Sequence, residues 1–443
     1  RFYFTGLKKY QINYAVKANG KVVRKGKTFL DIEPQGTQEL TVNVAGLQPK
    51  AGTEYFVNFW VTTTEPEILI PVGHEIASEQ FRLPIEPLTV AEHKASGKTN
   101  VTTEGDEVKV SSSKMQFVFN KKSGLVTSYK VNGTEYFTEG FGIQPNFWRG
   151  PNDNDYGNGQ PKREQIWKQS SKDFKVADVI TEADGNNTVL TANYLLAAGN
   201  LYIVKYTIYP DGVVHADITF TSTDMEEGKT EVSEATLMAT FSPGQQEARR
   251  AASRLVVPRI GVRFRLPADM NQVEYFGRGP GENYIDRQRA SHIDLYKTTA
   301  DAMYTNNYVR PQENGHRTDT RWVELTRKNG KGLKIVADQT IGFNALRNSV
   351  EDFDSEEAVG KLRQWNNFTP EEIANRSEEK AKDVLRHMTH INDITPRNFV
   401  EVCVDMKQQG VAGFNSWGDR PLAEHTMPAN QEYKWGFTLI PVK

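Results

Sequence analysis

Four segments of this chain gather acids, amides, glycines and aromatic residues at spacings suited to chemistry. In Trp148-Arg-Gly-Pro-Asn-Asp-Asn-Asp-Tyr-Gly, Arg149 precedes the alternating amides and acids Asn152, Asp153, Asn154 and Asp155. Such a loop could hydrogen-bond sugar hydroxyls or hold an oxygen-ligated cation. Composition alone favours a plainer role, a surface turn whose Asp and Asn side chains cap their own backbone. In Phe276-Gly-Arg-Gly-Pro-Gly-Glu-Asn-Tyr-Ile-Asp-Arg the glycine spacing has the look of a nucleotide loop, but Pro280 interrupts it and no helical pattern follows to receive a phosphate. A structural turn with Glu282, Asp286 and Arg287 in a buried polar network suits those residue types better. Tyr308-Val-Arg-Pro-Gln-Glu-Asn-Gly-His-Arg offers Glu313 and His316, a pair capable of acid/base work if a second carboxylate stands nearby. In Gly410-Val-Ala-Gly-Phe-Asn-Ser-Trp-Gly-Asp-Arg-Pro, Trp417 and Asn415 sit among glycines and polar residues rather than on an apolar stripe. A tryptophan so placed is suited to stacking on the C–H face of a sugar, unless it folds back on its own domain.

Two other groups carry less. His387 and His390 are spaced to share one helical face, but no acidic third ligand lies close in sequence, and a surface pair is the simpler reading. The acids from Glu351 to Glu357 read as a solvated loop. Serine-nucleophile and phosphate-loop signatures are absent.

The elements that must position these segments read as strands. Gln11-Ile-Asn-Tyr-Ala-Val-Lys, Glu39-Leu-Thr-Val-Asn-Val and Glu54-Tyr-Phe-Val-Asn-Phe-Trp-Val alternate apolar and polar side chains, with Asn-Gly and Gln-Gly turn signals between them. Residues 1–85 therefore read as a small β-sandwich, 86–104 as a linker ending in Ala95-Ser-Gly-Lys-Thr-Asn, and 105–443 as a larger β domain. Within the larger domain, Leu201-Tyr-Ile-Val-Lys-Tyr-Thr-Ile-Tyr and Val213-Val-His-Ala-Asp-Ile-Thr-Phe are representative strands, and Thr369-Pro-Glu-Glu onward has the cap and proline of a helix start. The expected class is all-β with a minor helical insertion.

Of the 443 residues 25% are charged, 54 basic against 56 acidic, so no charge excess points to nucleic acid or a polybasic membrane surface. No apolar run approaches the roughly eighteen residues of a spanning helix. Cys403 is the single cysteine, which excludes an internal disulfide and a cysteine-based zinc cluster. The chain opens on Arg1 directly in a strand-like pattern, as a piece of a longer chain would, and gives no compartment.

Taken in order, Arg149-Gly-Pro-Asn-Asp-Asn-Asp, Gly277-Arg-Gly-Pro-Gly-Glu-Asn-Tyr-Ile-Asp-Arg, Tyr308-Val-Arg-Pro-Gln-Glu-Asn-Gly and Gly413-Phe-Asn-Ser-Trp-Gly resemble the C-terminal region of the large β-galactosidases of glycoside hydrolase family 2. The upstream Leu30-Asp-Ile-Glu-Pro-Gln-Gly resembles the immunoglobulin-like domain that precedes that region, so the likeness covers essentially the whole chain. The resemblance implies the fourth and fifth domains of a five-domain enzyme, the fifth a β-supersandwich similar to galactose mutarotase.

It also implies removal of terminal β-D-galactosyl residues, as from lactose, with retention, by two glutamates about 5 Å apart. Both belong to a preceding (β/α)8 barrel. No stretch here resembles either glutamate motif, and Glu313 is a decoy. The expectation is therefore no catalytic residue and no turnover by this piece alone. Trp417 matches the aromatic that the fifth domain brings to the mouth of the sugar site, with Asn415 beside it, and Arg149, Asn152, Asp153, Asn154 and Asp155 match a loop bordering the same site. Phe414 departs from the glycine-and-acid pattern many members have before that tryptophan.

No cofactor or metal ligand is expected in this piece; magnesium and sodium are implied for the intact enzyme, with ligands in the barrel. The implied partners are a β-galactoside or galactose, the rest of the enzyme chain, and further copies in a homo-oligomer. The alternatives are a stand-alone β-galactoside-binding module and a mutarotase-like aldose isomerase, the latter needing His215 or His316 to converge with Glu282.

Overall fold

The computed structural model describes residues 3–221, 255–305, 307–354, 391–415 and 418–443. The helix expected from Thr369, the pair His387 and His390, and Trp417 itself lie outside the described residues. The chain divides into two compact units, Arg1–His93 with His292–Tyr296, and Lys94–Ser291 with Lys297–Lys443.

The first unit holds an antiparallel sheet of four strands, β1 (Tyr10–Ala18), β2 (Lys21–Thr28), β3 (Tyr55–Thr63) and β4 (Glu75–Arg82), in the order β2-β1-β3-β4. The Asn19-Gly20 turn joins β1 to β2 with both residues at positive φ, the geometry a two-residue hairpin demands. Tyr10, Ile12, Val16 and Val57 form its buried face. The strand expected at Glu39–Val44 is not formed: that stretch alternates between exposed and half-buried, no strand among the described residues pairs with its backbone, and its Asn43 carbonyl accepts instead from the Arg24 side chain of β2 at 2.8 Å.

The second unit is all-β apart from short helical turns. A meander of β5 (Asn100–Glu104), β6 (Glu107–Ser111), β7 (Met115–Asn120), β8 (Leu125–Val131) and β9 (Thr134–Glu135) forms one sheet in sequence order. Strand β5 falls inside the stretch whose composition reads as linker, because the Gly105-Asp106 turn folds Val101-Thr-Thr back onto β6.

The large sheet is built from β10 (Gln144–Asn146), β11 (Lys175–Asp184), β12 (Asn187–Leu195), β13 (Leu201–Ile208), β14 (Val214–Phe220), β15 (Arg259–Pro267), β16 (Gln272–Gly279), β17 (His292–Thr299), β18 (Arg317–Thr326), β19 (Gly332–Leu346), β20 (Phe399–Gln408) and β21 (Tyr433–Val442). Its main path runs β10-β15-β20-β19-β21-β14-β13-β12-β11, and β18 joins at β19 and β16 at β18. Period-two patterning gives these strands two different faces. Tyr202, Val204, Tyr206 and Ile208 of β13 and Val214, Ala216, Ile218 and Phe220 of β14 are buried, whereas Lys205, His215 and Asp217 point to the opposite side.

Three short helices, α1 (Asp153–Gly157), α2 (Gln160–Arg163) and α3 (Gln165–Ser170), interrupt the strands. They are held by Trp167 of α3, fully buried, whose ring lies 5.9 Å from Phe220 and 6.3 Å from Phe147. That aromatic anchor, worth on the order of 3 kcal/mol or more if truncated, fixes the first conspicuous loop on the sheet.

Candidate functional site

The structure brings the four conspicuous segments together, and most of their charged groups hold one another in place. Arg149 is fully buried and donates from Nε and Nη2 to Asp155, at 3.2, 2.9 and 3.0 Å. Its remaining donors reach the carbonyls of Gln409 at 2.8 Å and Gly410 at 3.0 Å. One guanidinium thus ties the 149–155 loop to the start of the 410–420 loop.

Asp155 also accepts from the Asn152 backbone N–H at 3.1 Å, and Asn152 Oδ1 accepts from the Asp155 N–H at 2.9 Å. This reciprocal capping box starts α1. It is the backbone capping that composition favoured, but at a buried helix start rather than in a surface turn, and together with the Arg149 bonds it occupies Asn152, Asp155 and Arg149 internally. Asn154 donates to the Val411 carbonyl at 3.1 Å. Asp153 is exposed and pairs with Arg310 at 2.8 Å, and the Arg310 guanidinium lies 4.9 Å from the centre of the Tyr156 ring. Of the four polar positions 152–155, Asp153 is the one that faces solvent.

The second segment contributes Asp286, whose carboxylate accepts from the backbone N–H groups of Val411 at 3.0 Å and Ala412 at 2.8 Å. Gly410 is required there, since a Cβ would stand 2.3 Å from Asp286 Oδ2. Glu282 organises the third segment: it accepts from the Tyr308 hydroxyl, from the Gly315 N–H at 2.9 Å, from Thr305 at 3.2 Å and from Arg287 at 3.1 Å. The buried polar network expected of Glu282, Asp286 and Arg287 is met in part: Arg287, half exposed, bonds Glu282, whereas Asp286 holds the 411–412 backbone instead, and none of the three is fully buried.

Beneath the loops lies a buried charged cluster. Arg259, at the start of β15, bonds the Trp148 carbonyl at 3.1 Å and Glu313 at 2.5 Å and ion-pairs with Asp405 of β20 at 3.2 Å. Gly261 leaves the space Asp405 uses, because a Cβ there would lie 2.2 Å from its carboxylate. His316 stands 3.7 Å from Asp405 and stacks on Tyr284 at 5.6 Å. Burial raises the Glu313 carboxyl against the pull of Arg259 and Arg149, and pushes Asp405 up to about 7. Burial and the neighbouring arginines hold the His316 imidazole well below its usual value. Glu313 and His316 are 3% and 1% exposed, so a substrate could not reach them for acid/base work. The convergence an isomerase would need is also not built: Glu282 is engaged as described, His316 faces Asp405, and His215 pairs elsewhere.

The acids at 351–354 are anchored, not a solvated loop. Glu351 meets Arg263 at 2.8 and 2.9 Å; burial would raise its pKa, but Arg263 holds it down to about 2. Asp352 caps its own turn and pairs with Arg397, and Asp354 accepts from Trp148 Nε1 at 3.0 Å. The partners are 45 to 206 residues away in sequence, which local composition could not reveal.

At the outer edge, Phe414 is 64% exposed and Asn415 donates to Asp419 at 3.1 Å. Gly418 at φ +86° packs its backbone against Gly157, closing the loop onto α1. Among the described residues one group could hold a metal ion: His215 and Asp217 of β14 and Asp338 of β19, with ligand atoms within 4.8 Å of one another. Thr438 bonds His215 Nδ1 at 3.0 Å and leaves Nε2 toward the carboxylates. The alternation His215-x-Asp217 on a strand could have suggested the pair; nothing local pointed to Asp338.

The class of this sheet scaffold and its interlocked polar loops comes from comparison with known families, which place it among β-galactosidase domains. Residues 111–439 match the family model described as beta galactosidase small chain, and residues 1–84 match that of beta-galactosidase domain 4. The chain belongs to the β-galactosidase small-chain family.

It is 28% identical over 442 residues to a β-galactosidase of Priestia megaterium, covering 99% of this chain and 37% of that protein. A β-galactosidase of Halalkalibacterium halodurans is 24% identical over 438 residues, 98% of this chain and 37% of its own length. One from Kluyveromyces lactis is 26% identical over 311 residues, 67% of this chain and 27% of its own. The chain thus spans about 37% of the length of the first of these relatives. A solved galactose 1-epimerase from Lactobacillus acidophilus aligns over 78% of the chain at 8% identity with a TM-score of 0.36, and a galactose mutarotase related enzyme from the same organism over 76% at 9% and 0.35.

Proposed function

We propose that this chain is the non-catalytic C-terminal part of a retaining β-galactosidase and forms one wall of its sugar site. The observation that supports this is the convergence of the 149–155, 282–287, 308–316 and 410–415 segments, cross-tied by Arg149 and Asp286, in a chain that spans 37% of its relatives' length. In this reading the wall is the edge where Asp153, Phe414 and Asn415 are exposed, and Trp417 follows two residues later in the sequence. The retaining pair of glutamates, the magnesium and sodium ligands and the barrel belong to the remainder of the enzyme, and the intact enzyme is a homo-oligomer acting on lactose-type β-galactosides. Two carboxylates must flank the scissile bond for that chemistry. Among the described residues, Asp155, Glu282, Asp286 and Glu313 are instead engaged in holding loops.

The test is hydrolysis of a chromogenic β-galactoside by the purified 443-residue chain with magnesium and sodium present. No turnover is expected. Turnover that persists through repurification would refute the reading, and Asp153, Asp155, Glu282 and Glu313 would then be the carboxylates to replace.

A further inference from the structure

Beside the Arg149 network, with Asp155 and Gln409 in its wall, a cavity of about 140 Å³ opens between Asn158, Gln160, Glu164, Arg420 and the apolar Leu255 and Val256. Two of its polar walls are almost wholly buried, Gln160 and Glu164 at 1% exposure each. Yet Gln160 Oε1, Gln160 Nε2 and Glu164 Oε2 find no partner at ordinary hydrogen-bond geometry, the Gln160 and Glu164 side chains meeting only loosely. The rest of each residue is well held. The Gln160 backbone N–H donates to Asn158 Oδ1 at 3.1 Å, and Glu164 Oε1 accepts from Arg163 at 3.0 and 3.3 Å. Burying an amide without partners costs on the order of 2 kcal/mol or more. Three such atoms on adjacent turns, fixed by their backbones, call for an occupant that supplies both donors and acceptors.

The wall chemistry narrows that occupant. An anion would face Glu164 Oε2, a cation would meet Arg163 and Arg420, and an apolar molecule would leave the Gln160 amide unpaired. A neutral molecule with neighbouring hydroxyls fits, because each hydroxyl both donates and accepts, as the amide and carboxylate together require. Leu255, Val256 and Pro421 offer the apolar surface that the C–H face of a sugar ring covers. A water needs about 10–15 Å³ of such space, so the volume suits one pyranose ring rather than an oligosaccharide.

We propose that the Gln160–Glu164 cavity is a monosaccharide subsite, separate from the exposed edge at Asp153 and Phe414. The inference rests on the reading of the chain as part of a glycosidase, but it makes its own claim, that a free sugar binds this chain through Gln160.

The experiment is saturation-transfer NMR on the 443-residue chain with galactose and with glucose as probes. Transfer to the ring protons, with millimolar affinity, is expected for at least one of the two. Gln160→Met, which keeps length and removes both amide groups, is expected to weaken it tenfold or more, and Glu164→Gln by a smaller factor. Lys109→Ala, on the exposed face of β6, should leave it unchanged; circular dichroism would show that each variant is folded. No transfer from either sugar overturns the proposal and leaves the cavity to water. Transfer that survives both Gln160→Met and Glu164→Gln overturns it as well, since the sugar would then sit elsewhere on the chain. Because the readout is binding and not turnover, any of these outcomes leaves the hydrolysis test of the preceding subsection standing.

Discussion

Replacing Asp155 by Asn keeps the side chain's size and removes its charge, and the structure allows the cost to be worked out. Asp155 accepts three bonds from Arg149 and one from the Asn152 N–H. Arg149 is fully buried, and its other partners are neutral carbonyls at 409 and 410. The variant therefore strands a guanidinium away from water and turns an amide group toward it. Breaking one side of a buried pair typically costs about 3–5 kcal/mol. By contrast Asp153→Ala breaks an ion pair whose carboxylate is 67% exposed, worth at most about 1 kcal/mol after screening. Urea unfolding followed by tryptophan fluorescence reads both as a shift in midpoint at constant slope. The double replacement Arg149→Met with Asp155→Leu should recover much of the loss, because it removes the uncompensated charge, less about 1 kcal/mol for each carbonyl bond given up. A loss below about 1 kcal/mol for Asp155→Asn, or one equal to that of Asp153→Ala, would refute the claim that this pair is the loop's electrostatic clamp.

Two further outcomes follow from the same network. Asp286→Ala removes the acceptor for the Val411 and Ala412 amides, so hydrogen exchange at those two positions should speed up by roughly ten- to a hundredfold, about 1.4 kcal/mol per decade, while the strand β20 amides stay protected. Burial pushes Asp405 to about 7, far above its unfolded value, so the folded state holds a proton there that the unfolded chain has released. Its contribution to stability is full below about pH 4 and is lost as pH rises toward 7. His316, held low, acts in the opposite sense below its unfolded pKa, so the two partly cancel in the wild type. Asp405→Asn should remove the falling limb alone: relative to wild type its stability should rise with pH between about 4 and 7. A difference that is flat across that window would show that Asp405 keeps an ordinary pKa.

Much of the scaffold was legible because strand periodicity is a local signal. Residues 201–209 and 213–220 were legible as strands and form β13 and β14, where side chains two apart share a face. The capping box was also local, an Asn and an Asp three apart. Partnerships across long sequence separations were not. Arg149 meets carbonyls 260 and 261 residues away, Asp286 meets amides 125 and 126 away, and Glu351 meets an arginine 88 away. Composition at each end says only that a charge is present. The strand expected at 39–44 failed for the complementary reason: alternation shows that a segment could pair, and pairing needs a neighbour that the described residues do not supply.

That difference bears on how the conspicuous residues should be read. Acids, amides and glycines stand out in a sequence whether they touch a ligand or hold a loop, and here the most conspicuous of them do the second. Arg149 and Asp155 are spent on each other, Asp286 on a turn, Glu313 and Asp405 on Arg259, and Gly261 and Gly410 on making room for the carboxylates. A loop held by buried charge pairs has few soft directions, so the exposed residues at its edge keep their positions without spending their own polar groups on the task. Loss of function in an Arg149 or Asp155 variant would then report a displaced loop rather than a lost sugar contact. The two are separable: a displaced loop would also speed hydrogen exchange at Val411 and Ala412, whereas removal of a side chain that only touches the sugar would leave those amides as protected as before.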